Sequence, residues 1–144
     1  MGETTQVYVG VKLIRAKPEA RGNEPGYRVV YPDGYISWSP KEAFEKAYFR
    51  LSDPTSIRRQ DVERFAGDPV LRRVDEKTTL VSVETQTGFV QHEACSCVDP
   101  EKYDEEIGRD VGYRRIVNQL WPCLGFVLQW ARYGLGHGRG CSAD

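Results

Sequence analysis

Histidine is scarce in this sequence. His92 and His137 are the only two, and neither stands at a spacing from a serine or cysteine that suggests a catalytic pair. Nucleophilic catalysis therefore has little material. The four cysteines, Cys95, Cys97, Cys123 and Cys141, lack the C-x-x-C spacing of structural zinc sites. A zinc reading would have to join His92, Cys95 and Cys97 to a distant ligand such as Cys123. The cysteines equally lack a secreted-scaffold spacing, so free thiols in a reducing compartment are expected. Neither sign of charge is in excess: twenty Lys and Arg against twenty-one Asp and Glu leave a net charge of -1. No global field would draw such a chain to DNA or a membrane, so any anion site must be a local cluster of arginines. No apolar run approaches the length that spans a bilayer, and the start MGETTQVYVGV has neither the basic nor the apolar region of a secretion signal. The expected location is the cytosol. No cofactor motif is present either, since the glycine-rich stretch Gly134–Gly140 has no following helix to hold a phosphate, and it reads as a mobile tail.

What is present is the material of a single compact unit of class α+β, an antiparallel sheet built from two hairpin regions. Its 144 residues, 40% hydrophobic, are enough for one sizeable core. Val7, Val9, Val11 and Leu13 alternate as in a strand with one buried face. Tyr27–Tyr31 and Tyr35–Trp38 flank Pro32-Asp33-Gly34, a strong hairpin signal. Ser39-Pro40-Lys41-Glu42 reads as a capping box, starting a short helix from Pro40 to Tyr48. A connector holds a second short helix, Gln60 to Phe65. Val70–Val74, Thr78–Thr85 and Phe89–Val98 read as strands, the last two joined around Gln86-Thr87-Gly88. Asp99-Pro100 reads as the cap of a long C-terminal helix, in which Pro122 predicts a kink or a break. The organisation expected is a hairpin and helix in residues 1–50, a connector in 51–69, a hairpin and long helix in 70–133, and a flexible tail in 134–144.

The informative side chains lie on the long helix. At about 100° per residue, Arg109, Tyr113, Ile116, Leu120 and Leu124 project to one side. A guanidinium four residues from an aromatic ring suits gripping a phosphate while stacking on a base or ribose. The competing reading pairs Arg109 with Glu105 and places Tyr113 in the core. Arg114 can pair with Asp110, which leaves Arg115 the less compensated neighbour. On the preceding strand Phe89, Gln91 and Glu93 share a face that could line a pocket, with Phe89 as ordinary core the alternative. Arg28, beside Val30 on a hairpin strand, is either a solvated sheet residue or an anion contact. The carboxylates Glu101, Asp104, Glu105 and Glu106 crowd the helix start, where they complement its dipole. A binding protein, not an enzyme, is the expectation.

Two stretches carry a resemblance: Gly26 to Glu45, with its GYRVVYPDGYISWSPKEAFE, and Gly88 to Arg109, which contains CSCVDPEKYDEEIGR. Both resemble segments widespread in small tailed-phage proteins, and their order in one chain resembles the phage Thoeris anti-defence family, the first described of the signal sponges. That resemblance covers most of residues 7 to 130. It implies sequestration, without cleavage, of cyclic ADP-ribose isomers made by bacterial TIR-domain enzymes, and for some members of cyclic di- or trinucleotides. It also implies a homo-oligomer, a dimer or a hexamer, with pockets at subunit interfaces. The matching positions are Phe89 and Arg109, with Arg115 a weaker match and Arg28 the candidate for a second, cyclic-oligonucleotide site. Two departures are visible: a short stretch between Pro18 and Gly26, and Pro122 inside the C-terminal helix. A protein-interaction module that blocks a host enzyme, motivated by Trp38 and Trp130 as exposed aromatics, is the alternative, and an enzyme that degrades the messenger is a third reading.

Overall fold

The computed structural model describes residues 2–138, so Cys141 and the end of the glycine-rich tail lie outside the described residues. The chain is α+β, with two separate three-stranded antiparallel sheets, short helices and one long C-terminal helix. It divides into two compact units, one formed by residues 1–50 and 127–144, the other by residues 51–126.

In the first unit, β1 (Arg15–Pro18), β2 (Gly26–Val30) and β3 (Ile36–Pro40) pair in the order β1-β2-β3. The Asp-Gly signal is borne out: Gly34 takes a φ of +89° in the turn that joins β2 to β3, and Asp33 Oδ1 accepts from the Tyr35 N–H at 2.9 Å. Helix α1 (Lys41–Ala47) lies on this sheet through ring contacts, Tyr27 stacking on Phe44 at 4.1 Å between centroids and Phe44 meeting Tyr48 at 5.0 Å. Two expectations fail here. Residues Val7 to Leu13 form no strand, because none of the described residues pairs with them, and the first strand begins only at Arg15, where the register with Val30 starts. The Ser39 capping box does not form either. Ser39 is still held in the sheet opposite Tyr27, so the helix starts after Pro40, and the Lys41 N–H goes to the Pro25 carbonyl instead of to a side-chain cap.

In the second unit, α2 (Arg59–Ala66) is followed by β4 (Val70–Asp75), β5 (Thr78–Glu84) and β6 (Val90–Ser96), paired in that order, and then by α3 (Glu105–Tyr133), whose turns from Val127 onward belong with the first unit. Alternation along β5 buries Thr79, Val81 and Val83. Against them, Val62 and Ala66 of α2 and Ile116, Val117, Leu120 and Leu124 of α3 complete one core. The helix comes close to the sheet because Gly108 and Gly112 give it no side chains there. A Cβ at Gly108 would lie 2.8 Å from the Thr79 hydroxyl, and one at Gly112 would lie 2.5 Å from Val81 Cγ2. Trp121 Nε1 donates to the Ile57 carbonyl at 2.9 Å and so ties the connector to α3.

The long helix corrects one more expectation and narrows another. Asp99 caps only a short 3-10 turn over Pro100–Lys102, while the cap of α3 is Asp104, whose Oδ1 accepts from Glu106 N at 2.9 Å and Ile107 N at 3.3 Å. Pro122 does not split the helix, which runs unbroken from Glu105 to Tyr133. Leu120 and Leu124 are buried on either side of it, so the core holds the helix across the missing N–H.

Candidate functional site

The core of the second unit decides which of the singled-out side chains are free to act. Tyr113 follows Gly112 directly, at the margin of the core, and its hydroxyl donates to the Gly67 carbonyl at 2.9 Å, just past the end of α2. Burial pushes its phenol up, and the nearby carboxylates of Glu63 and Asp68 push it further, with Arg109 and Arg59 opposing. Tyr113 is thus a neutral structural donor, which matches the competing reading of this residue as core.

Arg115, read from spacing as the less compensated neighbour, has a carboxylate partner. Its Nη1 lies 3.6 Å from Glu93 Oε1 and 3.8 Å from Cys95 Sγ, and Gln119 Nε2 donates to the other oxygen of Glu93 at 3.1 Å. The reason is register. Residues 91, 93 and 95 of β6 lie opposite Val83, Val81 and Thr79, so they share the face that α3 covers, and Glu93 is presented to the helix. Gln91 lies half-buried on this same face. Asp110 meets Arg109, and among the described residues Arg114 has no ion pair.

Arg109 is the exception. Its side chain is 43% exposed, and its ion pair is a 3.4 Å approach to Asp110, the adjacent and still more exposed residue; the predicted Glu105 pair is not made. An exposed pair of this length contributes little, so the guanidinium can exchange it for an anion at small cost. Phe89, on the turn before β6, is 64% exposed and is not core. Its carbonyl accepts from both the N–H and the hydroxyl of Thr85 at 2.9 Å, which fixes the backbone while the ring stays outside.

Phe89 and Arg109 do not meet within one chain. Gly108 packs on Thr79, whereas Phe89 closes the hairpin beside Thr85, at the other end of β5. Six residues of strand separate the two levels, about 20 Å at about 3.3 Å per residue. Arg28 belongs to the first unit, half-buried on β2 between Lys17 and Trp38. Trp38 and Trp130, taken from the sequence as exposed aromatics, are both half-buried. The Trp38 indole N–H donates to the Glu19 carbonyl at 2.7 Å, and Arg21 lies over its ring at 4.8 Å.

Two groups escaped the sequence reading. Asp61 is wholly buried at the start of α2, accepting from the hydroxyl and N–H of Ser52, from Arg58 N at 2.9 Å and from Arg64 Nη2 at 2.6 Å. Its carboxyl is pushed up by burial, but these hydrogen bonds outweigh burial and hold it below the ordinary carboxylate value. The other is a serine–histidine pair: Ser82 Oγ and His92 Nδ1 lie 2.7 Å apart across β5 and β6, on the face away from α3. The hairpin register around Gln86-Thr87-Gly88 would have found it. No carboxylate among the described residues orients the histidine, so the arrangement is two members of a triad without the third.

A family profile described as Phage protein (N4 Gp49/phage Sf6 gene 66) family matches residues 43–131, a stretch that contains Phe89 and Arg109 and leaves out Arg28. No curated protein and no protein of solved structure matches the chain.

Proposed function

The chain belongs to this phage protein family, whose profile takes in well over half of its 144 residues, and from that premise we propose that it binds and sequesters a cyclic nucleotide-derived signal without cleaving it. The ligand class is a cyclic ADP-ribose isomer, with cyclic di- or trinucleotides as a second group, and the place of action is the host cytosol. The observation that carries this reading is Arg109: a half-exposed guanidinium, held only by a long contact to a neighbouring carboxylate, inside the family-matched stretch. Such a group makes charge-assisted bonds to phosphate that are stronger than neutral ones. Phe89, an exposed ring on a fixed backbone, is the stacking partner.

The separation of Phe89 from Arg109 within one chain supports a pocket assembled from two copies, Phe89 of one beside Arg109 of the other, in a dimer or a larger ring such as a hexamer. Arg115, Tyr113 and Gln91 then act as supports behind that surface, since the first two are already committed to Glu93 and Gly67. Arg28 remains the candidate for a separate oligonucleotide site.

Calorimetry against cyclic ADP-ribose isomers and cyclic di- and trinucleotides tests the reading. Binding is expected for at least one of them, and Arg109→Ala is expected to weaken it by ten- to a hundredfold, the worth of one charge-assisted bond, with the fold unchanged. Absence of binding to all of them would overturn the proposal. A ligand recovered chemically altered after heat-denaturing the complex would replace sequestration with turnover.

A further inference from the structure

The alternating segment near the start of the chain has no counterpart in the fold around it. Residues 2–14 make no backbone hydrogen bond among the described residues, and Val7 and Val9, the residues whose alternation marks a strand, are 98% and 77% exposed, with Tyr8 between them equally bare. A segment with strand patterning and a full row of unpaired N–H and C=O groups is a strand in want of an edge.

The sheets offer four edges, and three carry charged residues. β1 carries Arg15 and Lys17, β4 carries Arg72, Arg73 and Asp75, and β6 carries Glu93. β3 alone, Ile-Ser-Trp-Ser-Pro, has no charged residue, and among the described residues its outer edge has no partner. Natural proteins use charge to keep such edges from pairing, so an uncharged edge is the one left open to another strand. Gln6 to Val11 is likewise uncharged, and its six residues span about 20 Å, enough to cover the five of β3.

The arm does not lie on the β3 edge of its own chain. β1 runs from Arg15, opposite Val30, to Pro18, opposite Tyr27, so the residues before Arg15 leave the sheet at its β2–β3 turn end. Lys12 holds them there, its ammonium 4.5 Å over the Tyr31 ring, and β1 and β3 are on opposite edges of the sheet. We propose that residues 6–11 of one copy add as a strand to the β3 edge of a second copy, each chain giving and receiving one arm. A net charge of -1 puts little repulsion between the copies. The exchange gives the self-assembly invoked above its contact surface; it rests on that self-assembly and not on the identity of any ligand.

Two measurements on the full chain without ligand test it. By analytical ultracentrifugation, the mass of the unsubstituted protein is expected to fall to that of one chain in the double variant Val7→Glu, Val9→Glu and again in Ile36→Lys, which guards the receiving edge, if the exchange is what joins the copies. Circular dichroism is expected to keep the helix signal and to lose only the small strand contribution of residues 6–11, because the arm touches no core. Amide hydrogen exchange should show residues 7–11 and the β3 amides protected together, the protection vanishing on dilution. A one-chain mass for the unsubstituted protein at high concentration, an unchanged mass in both variants, or arm amides that exchange unprotected at every concentration would each overturn the proposal. Since no messenger enters either measurement, failure of the ligand reading leaves it standing, and its own failure leaves the calorimetry intact.

Discussion

The two sheets are alike in strand number and order and unlike in what covers them. β4, β5 and β6 lie under α2 and α3, and eight buried side chains from sheet and helices form a continuous core there. β1, β2 and β3 contribute one buried hydrophobic side chain, Val29, and the helix that lies on them, α1, buries none of its residues. What orders the first sheet is ring stacking, the Trp38 bond to Glu19 and cations over aromatic faces, interactions worth roughly a kilocalorie per mole or less apiece. The second sheet is held by burial and the first by its rim. The family profile follows the same division: it covers the whole of the second sheet and starts at residue 43, past the last strand of the first. The first unit buries little more than Val29 and, on the turns of α3 that belong with it, Leu128, and its uncharged β3 edge is the place proposed for the exchanged arm.

The comparison is broken most sharply by removing the buried charge that fastens the second unit. Asp61→Ala strands the donors of Ser52 and Arg58 and removes an ion pair from Arg64, and is expected to cost about 3 kcal/mol in urea unfolding, near the low end for a buried charge network because Arg64 is partly exposed. The same residue has a pH signature. Its folded carboxyl sits below its unfolded value, so its stabilisation is complete above the ordinary carboxylate range, near pH 4, and is lost as the pH falls through the depressed folded value. Urea midpoints from pH 6 down to 3 should therefore fall more steeply for the unsubstituted protein than for Asp61→Asn. Parallel curves would mean that Asp61 is not the fastening charge.

Gly112→Ala probes the contact between α3 and β5 directly. The added carbon would lie 2.5 Å from Val81 Cγ2, 2.9 Å from Val81 Cβ and 3.2 Å from Cys95 Sγ, so the helix must lift or the strand must yield. Overpacking of this kind costs about 2 kcal/mol, more than offsetting the gain in helix propensity. A stabilised variant would show that the helix does not sit this closely on the sheet. Gly125→Ala is the control: on the same helix nothing lies within 4 Å of its Cβ position, and a slight gain is expected.

Where burial wrote itself into the sequence as a period, the sequence was legible. β5 alternates because one face is core, α3 repeats because one stripe is core, and Asp-Gly fixed the first hairpin because only a few residues accept its backbone. β1 was missed because all four of its residues are exposed and no pattern marks them. The arm was misplaced for the opposite reason: its alternation is genuine, but no strand among the described residues answers it. For the candidate site, the sequence singled out Arg109 and Phe89 but could not say that Arg109 on α3 stands level with the Thr79 end of β5 while Phe89 stands at the Thr85 end. It also read Arg115 as available, because Glu93 reaches it only after the sheet has folded under the helix. Asp61 gave no signal at all, since its partners Ser52 and Arg58 come from the turn before the helix, and a single acidic residue in a first turn looks like an ordinary dipole partner.

The smallest expected effect tests whether the far face of the second sheet is as open as the near face is closed. Ser82 and His92 pair across β5 and β6 on that far face, with Val70 and Val90 exposed beside them. An exposed cross-strand hydrogen bond is worth a few tenths of a kilocalorie to about one, so Ser82→Ala should cost about 0.5 kcal/mol or less, well below Gly112→Ala on the covered side. The free-energy difference between the two variants, taken from the same urea titrations, is the measured asymmetry of the sheet. If Ser82→Ala were instead as costly as Gly112→Ala, the bond would have to be shielded from water. In that case the face would be covered in solution by a second copy, and the loss should shrink as the protein is diluted.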